Sequence, residues 1–221
     1  MSTYNDYRPD AVAPYEIVEQ PASEPVTTAE IRKFVRQDTT ADDDILGLLV
    51  TSARQWVEEY TGRALITQRW QAFAPAFPDA DAPLIIPGGK VADSPAPVME
   101  YQNDTGEWVV LASSAWFVEP GNRNDYAAVY PSVAAGRGWP STVTEGDGRR
   151  RGGTGWKARN VIRFAYTVGY GAASQVPEAI KTAIKLHASF HYDNRNMPMP
   201  EKHVAALHEW LAPYRLRAFG A

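Results

Sequence analysis

The sequence contains no cysteine. Disulfides, thiolate metal sites and cysteine nucleophiles are therefore excluded, and a reducing compartment suits the chain. No apolar run approaches the roughly 18 residues needed to cross a bilayer. The N-terminal MSTYNDYRPDAVAPYE has neither the charged nor the apolar region of a secretory signal. The expectation is a soluble, intracellular-type protein with no membrane partner. An excess of basic residues is also missing: 22 Lys and Arg stand against 26 Asp and Glu, a formal net charge of −4. That argues against a tight, sequence-independent grip on a phosphate backbone over the whole surface. What is present is 221 residues, 44% hydrophobic and 22% charged, enough for one sizeable core or two small ones. Seventeen Pro and sixteen Gly, mostly in the middle, imply many turns there.

The stretch Asp42–Gly62 organises the rest. Ile45, Leu48, Leu49, Ala53, Trp56, Val57 and Tyr60 recur at three- and four-residue steps, the period of one helix face. Asp42, Asp43 and Asp44 put negative charge at the positive end of the macrodipole, and Gly62 suits a left-handed C-terminal cap. Such a helix is about 30 Å long, with Trp56 and Tyr60 expected as core anchors. Before it, Thr27 and Glu30 have the spacing of a capping box, and Val26 and Ile31 that of a hydrophobic staple, so a short helix is predicted to end near Gln37. Residues 1–25 carry Pro9, Pro14, Pro21 and Pro25 without a period. They read either as a flexible arm or as an arm that orders on a neighbouring subunit through Tyr4, Tyr7, Tyr15, Ile17 and Val18.

After Gly62 the period changes. Gln68–Phe73, Leu84–Ile86, Val98–Tyr101 and Trp108–Leu111 are short, β-branched or aromatic, and bounded by Pro, Gly and Asp. Asn103–Gly106 marks a hairpin turn. Trp116–Val118 and Ala127–Tyr130 are weaker strands, and Arg159–Val168 alternates well. Pro177 and Glu178 then open a third helix, with Ile180, Ala183 and Ile184 on one face. A fourth runs from about Glu201 through Val204, Leu207 and Leu211, until Pro213 disturbs it. The expected class is α+β: a small bundle of about four helices (26–63 and 172–213), with a mostly antiparallel β-domain (64–171) inserted between the second and third, and a C-terminal tail at 214–221.

Signals of reaction chemistry are weak. His187 and His191 share a helix face and could ligate zinc in a metal-dependent hydrolase. However, the His-Glu-x-x-His pattern is absent, and both fall within an apolar arc, which favours satisfied, partly buried histidines. Helix capping explains Asp42–Asp44 without a divalent cation. No Gly-x-Ser-x-Gly elbow and no phosphate-binding Gly-Lys-Ser/Thr occur. Loop 144–157 is Gly-rich, and Arg149, Arg150, Arg151 and Lys157 oppose Glu145 and Asp147, a local balance of +2. It reads as a solvated loop or, alternatively, as a nucleic-acid-binding finger. No cofactor is implied.

Six short motifs stand in a definite order: Asp42–Asp44, Glu58–Arg63, Gly169–Gly171, Val176–Lys181, Tyr192–Arg195 and Leu211–Arg215. In that order they resemble the head–tail connector (adaptor) proteins of tailed phages, prophages and gene transfer agents, over about residues 20–217. The resemblance implies a non-enzymatic structural protein of the virion's head–tail junction, assembled in the bacterial host cytoplasm. It implies a ring of copies, a dodecamer, below the capsid portal. That ring would pass the DNA channel on to the next tail component, a stopper or tail terminator, without specific DNA binding. It also implies a C-terminal segment that docks on the portal, here Tyr214, Arg215, Arg217 and Phe219. The longer N-terminal arm and the Gly- and Arg-rich loop depart from the family's pattern.

Overall fold

A computed structural model describes residues 13–78, 82–103, 105–119, 126–132, 138–140, 142 and 160–216. Among them are four α-helices and two antiparallel sheets, an α+β architecture. The chain divides into two compact units. The helical unit is built from Gln20–Gln68 and Val168–Leu216; the β-unit holds the described residues up to Glu19 and within Arg69–Thr167.

In the helical unit, α1 spans Thr28–Phe34. Its N-terminus is closed as the spacing predicts: the Glu30 amide donates to Thr27 Oγ1 at 3.2 Å, and the Glu30 carboxylate accepts from the Thr27 amide at 2.7 Å. Those bonds hold the Glu30 carboxyl below its ordinary range. Val26 and Ile31, the staple pair, are both buried. α2 spans Asp43–Thr61 and ends on Gly62 at φ 70°. α3 spans Glu178–Asp193 and α4 Glu201–Leu211, followed by a 3-10 turn at Ala212–Tyr214 that contains Pro213. α2 packs on α3 through Leu46, Val50, Ala53 and Val57 against Ile180, Ala183, Ile184 and Ala188.

The inward face of α2 differs from the sequence expectation. Leu46 and Val50 are buried, whereas Leu48 is 72% exposed. Two interleaved sets of apolar residues both satisfy the three–four spacing, and the continuous 46-50-53-57 row is the one that meets α3. The acidic start of α2 also does more than complement the dipole. Asp43 accepts two bonds from Arg32, at 2.8 and 2.7 Å, and Asp42 accepts from Tyr192 Oη of α3, which raises the Tyr192 pKa.

The strands are β1 Tyr15–Glu19, β2 Gln68–Ala74, β3 Leu84–Ile86, β4 Val98–Gln102, β5 Trp108–Leu111, β6 Trp116–Glu119, β7 Ala127–Pro131 and β8 Ile162–Val168. They form a five-stranded sheet ordered β1-β2-β8-β4-β5 and a three-stranded sheet ordered β3-β7-β6. β2 alternates buried and half-buried along its length, as a sheet with one core face should. Trp116 of β6 meets Phe164 of β8 edge-on at 5.3 Å. Buried Tyr166 donates to Pro87 O at 3.1 Å, and burial holds its hydroxyl well above the ordinary tyrosine range.

β1 corrects the reading of residues 1–25 as an aperiodic arm, because residues 15–19 are a strand. They pair antiparallel with β2, Tyr15 stacks on Trp70 at 4.2 Å, and the Ala13 amide donates to Ile85 O at 3.0 Å. All five side chains of β1 are exposed. A backbone ladder and one ring contact hold the strand, so no buried stripe marks it in the sequence.

Candidate interaction surfaces

At the C-terminal end of α2 an aromatic column ties three helices together. Trp56 and Tyr60 project from α2. His208 of α4 stacks on Tyr60 at 3.9 Å and on Trp56 at 5.4 Å, and His187 of α3 stacks on Trp56 at 4.9 Å. Tyr60 Oη donates to His208 O at 3.1 Å. The C-terminal segment is seated on this column. Arg215 lies over the Tyr60 ring at 5.2 Å, Arg63 Nε donates to Tyr214 O, and the Leu216 amide donates to Thr61 O at 2.8 Å. Tyr214 is half-buried, Arg215 exposed and Leu216 buried. Of the residues the sequence nominates for portal docking, Tyr214 and Arg215 are thus placed at the end of this seat. Arg217 and Phe219 lie outside the described residues, as do Arg149, Arg150, Arg151 and Lys157 of the basic loop.

His187 and His191 come together, with ring centroids 4.8 Å apart. Among the described residues, no third His, Asp or Glu joins them in a group able to hold a metal ion. His187 is buried against Trp56 and its Nδ1 has no hydrogen-bond partner, which departs from the expectation of a satisfied histidine. Burial, and secondarily His191, push its pKa down to about 4, so it is neutral at physiological pH.

A second polar cluster closes on itself. Arg54, only 3% exposed, donates to Glu24 at 2.8 Å and pairs with Glu58 one turn on. Glu58 also accepts from the Leu65 amide at 2.8 Å and from Gln68 Nε2 at 2.6 Å. Burial raises the Glu58 pKa despite these donors. The cluster joins the loop before α1, the middle of α2 and the entry to β2. It is a pin between those segments. The i,i+4 spacing of Arg54 and Glu58 was its one sequence signal, since Glu24 lies 30 residues away.

Between α3 and α4 lies an open cavity of about 380 Å³, lined by Leu186, Phe190, Met199, Leu207 and Trp210, with Ser189, Asp193, Asn194 and His203 at its polar positions. Trp210 is 51% exposed. The cavity leaves no signal in the sequence, because it depends on how two helices diverge, which periodicity does not encode.

No family model and no curated protein matches the chain. Solved structures do match, nearly end to end. One is a chain from the neck of an empty gene transfer agent particle computed with C6 symmetry: TM-score 0.70 and 19% identity, covering 94% of this chain and 98% of that one. Another is from the virion of a native gene transfer agent particle, with TM-score 0.68, 21% identity and coverage of 94% and 98%. A third, from the neck of a native particle computed with C12 symmetry, has TM-score 0.62, 20% identity and coverage of 93% and 98%. The chain has the fold of these particle components.

Proposed function

We propose that this protein is a structural head–tail connector, without enzymatic activity, of a tailed phage or gene transfer agent. Copies form a ring, a dodecamer, at the head–tail junction of the virion. One side of the ring meets the capsid portal and the other meets a stopper or tail terminator. DNA passes through without specific binding, in keeping with a net charge of −4. The observation that carries the reading is the two-way coverage, 94% of this chain and 98% of the matched one. A likeness confined to four helices would fit many bundles, but this one has to include the β-unit.

Portal docking is assigned to the C-terminal segment: Tyr214 and Arg215 with Arg217 and Phe219 beyond them. The bonds from Arg63 and Leu216 hold the backbone and leave the Arg215 side chain exposed. Because Leu216 is buried, the informative truncation removes residues 217–221 in an Arg215→Ala background. Added to portal-bearing capsids that lack a connector, the full chain is expected to appear as a ring by electron microscopy and to restore tail joining. The truncated protein should fold and fail to join; capsids that accept tails normally with it would refute the docking assignment. Nanomolar affinity for duplex DNA at physiological salt would refute the channel reading.

A further inference from the structure

The outer face of α2 is a polar strip, Asp44, Ser52, Gln55 and Glu59, interrupted by one leucine. Leu48 is 72% exposed, more than any other large apolar residue described. It lies about half a turn from the row Leu46, Val50, Ala53 and Val57 that packs on α3, so it points away from that helix. On α3, Ile180, Ile184 and His187 turn toward the core and Trp56 of α2. Leu186, Ser189, Phe190 and Asp193 occupy an arc roughly 140° further round the helix and open into the α3–α4 cavity. The knob and the hole therefore lie on opposite sides of one helical unit.

We propose that the α3–α4 cavity of one copy receives Leu48 of a second copy, and that this head-to-tail contact repeats around the ring. The inference rests on the ring reading above and names its contact. Cyclic assemblies of six or twelve copies need an interface made of two different patches; a self-complementary patch would stop at a dimer. The fold neighbours come from assemblies computed with C6 and C12 symmetry. An apolar floor of Leu186, Phe190, Leu207 and Trp210 suits a leucine side chain. The strip carries two carboxylates and no base. The ionisable residues lining the cavity are Asp193 and His203, so the match rests on its apolar floor and the one apolar side chain of the strip.

The absence of native cysteine makes the test direct. A chain carrying both Leu48→Cys and Ala206→Cys, oxidised mildly at high protein concentration, is expected to give a covalent ladder of trimers and higher multimers. Each single variant should give monomer and at most dimer. In parallel, Leu48→Arg should weaken self-association at least tenfold with an unchanged melting curve, since the residue is exposed. If the double variant gives no ladder while an amine cross-linker still captures wild-type multimers, this contact is wrong and the ring reading survives. If the cross-linker captures only monomer as well, with portal-bearing capsids present, the ring reading falls and the contact with it.

Discussion

Replacing His187 by Phe should remove an acid-sensitive component of the helical unit's stability. In the folded chain His187 is buried on Trp56 with a pKa of about 4, against an ordinary 6.5. Between those values the unfolded chain binds the proton and the folded chain does not, so stability falls as pH drops. Linkage puts the loss at about 2 kcal/mol between pH 7 and pH 5, approaching a limit of ~3 kcal/mol below pH 4. Phenylalanine keeps the stack and cannot charge. Urea denaturation followed by circular dichroism at pH 7, 6 and 5 measures the difference. Wild type should lose ~2 kcal/mol more than the variant over that range. Titrating groups remote from position 187 contribute equally to both proteins and cancel in the comparison. Equal pH slopes would refute the reasoning and place a compensating partner on the imidazole.

Three further outcomes test the packing. Arg54→Met leaves the buried Glu58 carboxylate without its cation and should cost about 3 kcal/mol in chemical denaturation. Gly169 sits at φ +126°, where an added Cβ would lie 2.5 Å from Ile66 O; Gly169→Ala should therefore lose about 2–3 kcal/mol by the same measurement. Arg36 ends α1 at φ 59°, a conformation that favours glycine, so Arg36→Gly should gain about 0.5–1 kcal/mol.

What the sequence made legible was local. The Thr27–Glu30 box, the Gly62 cap, Pro177 before α3 and the alternation within Arg159–Val168 each act over a few residues, and the helices and most strands follow from them. What stayed hidden depends on distant partners. β1 is fixed by β2, more than 50 residues on in the register Tyr15↔Ala72. The rotation of α2 is chosen by α3, and the Glu24–Arg54–Glu58 cluster unites segments with no common period. The α3–α4 cavity is a space rather than a residue pattern. The order of six motifs pointed to the particle-neck fold even so, because order along a chain survives where spacing and identity drift.

The helical unit is written in two pieces, Gln20–Gln68 and Val168–Leu216, with the β-unit between them. A ribosome adding 5–20 residues per second needs roughly 5–20 s to cross the intervening hundred or so residues. Throughout that interval Ile31, Leu46, Val50, Ala53 and Val57 are already synthesised, while the helix that covers them is not. Newborn chains thus pass through a sticky stage whose length is set by translation speed, so crowding on one messenger should lower their yield.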